Sequence, residues 1–505
     1  MDRLARTVAR SAALSWSLLG ALIAGCLAVL QPLPLAAQPP APQPAAIEEL
    51  RKQAAAGQAD AMHALAERLR LGQGVAINLR EAADWYTTAS QKDHPAALTQ
   101  LGRMHLSGRG ARKNDLAALN CLRQAAELKH PAALNYLGLL YARGQGTRRD
   151  PQEALTLYQQ AAELGDASAM LNLADALAGK LGSDFAGKPD EVQAKKWYAA
   201  ARESYEKAAA AGDAEAMLGL VAIFQTGKGT AREPKLAAEW CQRAADLGRT
   251  DAMLALGRMY LDGRGVAQND EQARSWWTKA AQRGDPDAMF MLAACHRLGD
   301  LVAKDAKQAL DWFRKSADGG HPAAMIALGE MYAAGEGVAK DEKQALQWYL
   351  QAAQLGDSRA LTQVGLCYAA GRGVAKDDAA AVSFFRNAAD AGDTGAAYEL
   401  AKCYAEGRGV AQDATRAIRW YRQAAFAPHR QAARELAVIY ADGRGVEKDP
   451  KQAAFWNQLA ANQGDVIAIR ALAAAYQNGI GVKKDEKLAA EWKAKADAAE
   501  KRSHP

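Results

Sequence analysis

From about Ile47 onward the apolar positions repeat along the chain. In the stretch Ala252–Asp285, Ala252, Leu256 and Tyr260 fall at i, i+4 and i+8, one stripe of a helix. Gly263 then supplies a left-handed residue, and Gly265 allows a second bend. Asp270 is the expected N-cap of a second helix, whose apolar face is Ala273, Trp276, Ala280 and Ala281. Gly284–Asp285 ends that helix and caps the next, with Pro286 at its first position. The pattern predicts a hairpin of two helices, A and B, which cannot bury its apolar faces without neighbours.

The first turn glycines are Gly72, Gly108, Gly144, Gly227, Gly263, Gly299, Gly335, Gly371, Gly407, Gly443 and Gly479. Every step is 36 residues except that from Gly144 to Gly227, which is 83 and encloses one irregular unit. Twelve helix-A alanines, from Ala61 to Ala468, mark twelve units. The fourth, about 166–212, has a longer turn, Gly179–Pro189, and a helix B extended by seven residues, close to two helical turns. The seventh has Leu301 in place of its second turn glycine, and the tenth has Pro428 where the B-to-A glycine belongs. The last helix, Asp485–Lys501, turns charged after Trp492, as a polar end cap does.

These residues resemble the Sel-1-like repeat family, relatives of the tetratricopeptide repeats. The signature is A-x-x-x-L-G-x-x-Y-x-x-G-x-G-V followed by D-x-x-x-A-x-x-W-Y-x-x-A-A-x-x-G. The resemblance covers residues 47–501 and implies an all-α fold, an α-solenoid superhelix of about twelve helix-turn-helix repeats. It also implies a non-enzymatic adaptor that holds other proteins. Exported bacterial members are tied to envelope assembly, polysaccharide export and host-cell contact, so a glycan of the cell wall or of an exopolysaccharide is the alternative ligand, with a cryptic β-lactamase-like enzyme as the third reading.

Ahead of the repeats, Arg3, Arg6 and Arg10 precede an apolar run from Ala12 to Leu30 and a Pro-rich stretch. Residues 1–37 read as an export signal, cleaved between Ala37 and Gln38. Two other readings stay open: lipidation at Cys26, after Ile23-Ala24-Gly25, and retention of the run as an anchor. Membrane contact is expected only in those two cases. Residues 38–46 read as a linker. Cleavage removes three Arg and one Asp, lowering the net charge from +6 to +4, too mild to suggest nucleic acid.

Candidate chemistry is sparse. Cys295, Cys367 and Cys403 share one helix-A position, while Cys121 and Cys241 replace helix-B aromatics. Equivalent positions in adjacent repeats lie about 8–10 Å apart, too far for a disulfide. These cysteines read as core filler, and the paired cysteines of the penicillin-binding branch of the family are absent. Ser204–Lys207 fits Ser-x-x-Lys without its companion motifs. Gly182–Lys188 fits a phosphate loop, but Pro189 takes the place of the metal-binding hydroxyl. His94, His130 and His321 precede prolines and read as caps. No cofactor or metal is expected.

The expected partner-binding row runs along helix A. At 100° per residue, Leu254 points about 140° from the core stripe, toward the interior of the superhelix. Its counterparts include Leu171, Leu218, Phe290, Ile326, Tyr398, Arg434 and Arg470. The row is apolar in the middle repeats and basic at the end, which suits an apolar segment with an acidic flank. Packing of the row between neighbouring A helices is the other reading.

Overall fold

The computed structural model describes residues 44–427 and 429–503. The segment expected to be an export signal, with Cys26, Ala37 and Gln38, lies outside the described residues, as does Pro428. The rest is all α-helix: twelve A–B pairs, led by a helix Pro44–Ala55. That leading helix starts inside the stretch expected to be linker. Its Ile47 is buried, and its Ala54 and Leu50 pack with the first A helix, so it acts as an end cap.

Apart from the fourth, each A helix has 13 residues, as in Thr250–Asp262, and ends on a left-handed residue. Gly263 has φ 67° and its N–H reaches the Met259 carbonyl. In the seventh repeat Leu301 adopts φ 66° in place of a glycine, a conformation unfavourable for a side chain. Helix B begins one residue earlier than the sequence suggested. Asn269, not Asp270, is the cap, its side chain accepting from Gln272 N at 2.9 Å. Asp285 caps the following A helix as expected, accepting from Asp287 N and Ala288 N.

The fourth repeat is lengthened where predicted. Its turn contains a short helix, Ser183–Ala186, and its B helix, Glu191–Ala210, has 20 residues. Two turns were inserted without rotating the apolar face.

Beside the expected Trp276 position, helix B buries a second ring one residue later. Trp277, Phe313 and Phe385 are almost wholly buried, whereas Trp312 and Trp420, one position earlier, are half-buried. Trp276 and Trp456 are buried. Mid-helix glycines of A make room for that ring. A Cβ on Gly257 would lie 2.3 Å from Trp277 Nε1. The preceding repeat inverts the sizes, with Val221 on helix A and Cys241 on helix B, both buried. Cys295, Cys367 and Cys403 are also buried, Cys121 is half-buried, and all five are unpaired. Burial raises their thiol pKa values, Cys241 and Cys295 to about 12, so they are poor nucleophiles.

The chain divides into two compact units. One comprises the described residues up to Leu328 with Glu336–Val338, and the other Gly329–Gly335 with the residues from Ala339. Within the first, non-neighbouring repeats meet. Ile77 N, in the turn of the first repeat, donates to Arg283 O at 3.4 Å. Arg109 of the second repeat's turn pairs with Asp287 of the seventh A helix at 3.1 Å. The winding therefore completes a turn inside this unit.

Candidate binding surface on the A helices

In the first unit, that closure brings A helices of early and later repeats to opposite walls of a cleft of about 240 Å³. Arg70, Gln100 and Arg103 line one side, and Arg249, Asp251, Leu254 and Asp287 the other. The A helices thus face inward here.

Leu254 is only 9% exposed, and Leu171 and Ile326 are as deeply placed. Leu218, Phe290 and Tyr398 are half-buried. The expectation that this row lies open for a partner is corrected at Leu171, Leu254 and Ile326. Winding presses neighbouring A helices together along it. Arg434 is tied to Asp465 at 2.9 Å, and Arg470 is exposed.

What the row does instead is pair repeats. Each partner lies 31 residues on, at the N-cap of the next A helix. His63 stacks on His94, Phe290 on His321 and Tyr398 on His429, with centroids 4.6–4.8 Å apart. Thr99 Oγ1 meets His130 Nδ1 at 2.9 Å, and Thr362 Oγ1 donates to Asp393 at 3.0 Å. Thr362 and Arg434 donate to aspartate caps, whereas Leu254 and Ile326, which precede the aspartate caps Asp285 and Asp357, are apolar; before a histidine cap the row residue is a ring or a hydroxyl. His94, His321 and His429 each accept their own helix's backbone N–H through Nδ1, at 3.2 Å. The sequence reading placed the first two at caps, and overlooked the ring on which each rests. His130 caps no amide through its side chain.

The next row, one residue later, is buried at Ala327 but partly exposed at Gln100, Tyr136, Asn172, Ala255 and Met291 in the first unit and at Gln363, Glu399 and Glu435 in the second. Arg103 lies over the Tyr136 ring at 5.1 Å and bonds Gln100 at 3.1 Å. The carboxyls of the cleft are shifted in opposite directions. Burial, with Asp287 alongside, pushes the Asp285 carboxyl up. For Asp287 burial acts upward too, but His321 and Arg109 outweigh it and hold the group below the usual range.

No catalytic arrangement is formed by the motifs of the sequence. Ser204 and Lys207 lie within the long fourth B helix, and Gly182–Lys188 spans an irregular turn. Among the described residues no group of His, Cys, Asp or Glu is placed to hold a metal ion. None of their helices is long and apolar enough to cross a membrane.

Twelve matches to the Sel1 repeat model run from 59–94 to 466–496, one on each helix pair. The chain belongs to the Sel1 repeat family. A solved Sel1 repeat protein from Oxalobacter formigenes is 29% identical, over 59% of this chain and 87% of that one, with a TM-score of 0.50. A protective antigen of uropathogenic Escherichia coli strains, with an SLR fold, is 28% identical over 90% of this chain and 94% of that one, at 0.47. Cysteine rich protein B of Helicobacter pylori is 26% identical over 24% and 93%, at 0.21. No curated protein matches the chain. Sel1 repeats are in general protein-interaction modules, and Sel1 solenoids are typically non-catalytic.

Proposed function

We propose that this Sel1 repeat protein is a non-enzymatic scaffold of a bacterial-type cell envelope that holds a protein segment against its A helices. The observation that carries this reading is the half-exposed row Gln100, Tyr136, Asn172, Ala255 and Met291, beside a cleft walled by arginines and aspartates. A segment with one or two apolar anchors and mixed charges matches such a wall. The envelope assignment rests on residues 1–37. Intact-mass measurement of the native protein tests it, since an unmodified full-length cytosolic product excludes export.

A second reading, glycan binding, draws on the same row, because an aromatic ring at Tyr136 between amides at Gln100 and Asn172 suits a sugar face. Capture from an envelope extract, run beside peptidoglycan sedimentation, separates the two. Capture of protein that Tyr136→Ala abolishes supports the scaffold. Sedimentation with peptidoglycan alone supports the glycan.

A further inference from the structure

In the second unit, the B helices Ala414–Phe426 and Pro450–Asn462 differ from every other B helix of the chain: neither contains Asp or Glu. They carry Arg416, Arg419, Arg422 and Lys451 instead. Arg416 is offset by its own cap, Asp413, at 3.2 Å. Arg419 and Arg422 are exposed, as is Arg430 at the start of the following A helix. Arg422 is held in place by the Tyr440 hydroxyl, to which it donates.

The same region exposes large apolar side chains. Phe426 is 68% exposed, Phe455 52% and Ile467 62%. Both phenylalanines stand edge-on to Trp456, at 5.3 and 5.0 Å between centroids, and Trp456 itself is buried. The rings are thus propped on a fixed indole. Successive B-to-A turns are joined here, Gln463 donating to Ala425 O at 3.5 Å.

We propose that this face is a docking surface for an anionic lipid bilayer. Exposed aromatic and aliphatic side chains interspersed with arginines are the composition that seats a helix at a headgroup boundary. Side chains that project from a helix surface enter a deformable lipid layer directly, whereas a folded acidic partner needs a matching pocket for each ring.

The test uses the full chain with vesicles of phosphatidylcholine, alone or mixed in equal parts with phosphatidylglycerol. The expected result is co-sedimentation with the anionic vesicles only, reversed by salt. Each arginine near an anionic surface strengthens binding about fivefold, so replacing Arg419, Arg422 and Arg430 together by Gln should weaken it on the order of a hundredfold. Phe426→Ser with Phe455→Ser should weaken it about tenfold or more while thermal melting is unchanged. Residues 1–43 are common to all these chains, so their contribution cancels in the comparison. Equal sedimentation of wild type and both variants overturns the proposal, as does binding to polyglutamate with none to anionic vesicles.

Discussion

The Phe290 ring lies on the His321 imidazole, with centroids 4.7 Å apart and planes inclined by 22°. His321 Nδ1 accepts from Ala324 N at 3.2 Å, so its proton sits on Nε2, which faces Asp287 Oδ1 at 3.2 Å. One imidazole thus caps its own helix, bonds the first turn of the preceding A helix and stacks on that helix's row residue. An aromatic pair contributes about 0.5–1.5 kcal/mol beyond its buried area. A double-mutant cycle on Phe290→Ala and His321→Asn should show coupling of that size, and strict additivity would contradict the stacking role.

His429 makes the same cap and stack against Tyr398. Burial holds its imidazole below the ordinary value, and burial lowers His63 and His130 as well. The folded state therefore binds fewer protons than the unfolded state. Its stability is fully present above about pH 6.5 and declines as pH falls from there toward the folded pKa values. His429→Asn keeps a capping oxygen but cannot titrate. Melting curves between about pH 5 and 8 should show a smaller acid loss for the variant than for wild type. Parallel curves would remove His429 from the account.

The Trp277 ring occupies the space left by Gly257, and the preceding repeat solves the same packing with Val221 and Cys241. Gly257→Val alone should cost about 1–3 kcal/mol by overpacking, and Trp277→Cys alone about 3–5 kcal/mol by opening a cavity. The double variant should be less destabilised than the sum by about 1 kcal/mol or more. Urea unfolding of the four proteins measures this. A sum that holds would show that the two positions do not share one volume.

Much of this was legible in the sequence because it is local. The 36-residue period, the glycine stops, the aspartate caps and the extended fourth B helix all follow from backbone rules acting within one hairpin. Two things were not local. The small rotation from each repeat to the next sets how tightly the A helices crowd, and no single repeat shows that angle. Leu254 therefore came out packed, with Ala255 beside it half-exposed. Contact between Ile77 and Arg283 also depends on the accumulated winding of the intervening repeats. The ring one position after the tryptophans was missed for a simpler reason: Trp276 and Trp277 are both large and both buried, and only the glycine opposite reveals which ring lies against helix A.

The Arg109–Asp287 pair should hold the first repeats against the seventh. Arg109 is nearly half exposed, so the pair is screened and its deletion should change global stability by only about 0–1 kcal/mol. Local opening is the sensitive readout. Ile77 N–H, bonded to Arg283 O across the same junction, should exchange with solvent several-fold faster in Arg109→Ala, and added salt should narrow the difference. Unchanged exchange at Ile77 would mean that backbone contact alone closes the turn.

Leu254 and Tyr136 separate a packing row from a binding row. At Leu254, 9% exposed and touching the buried core of its unit, an aspartate would give up that apolar packing and be desolvated. Leu254→Asp should therefore cost about 3–5 kcal/mol, and any loss of partner should follow from unfolding. Tyr136 lies one residue further round its helix and is half-exposed, its ring under Arg103. Tyr136→Ala should lower the melting temperature less than Leu254→Asp does, yet remove the captured protein. Thermal melts and capture from the same extract compare the two directly. If Leu254→Asp stays folded and loses the partner while Tyr136→Ala keeps it, the binding row is the one first read from the sequence, and the half-exposed row is only solvated surface.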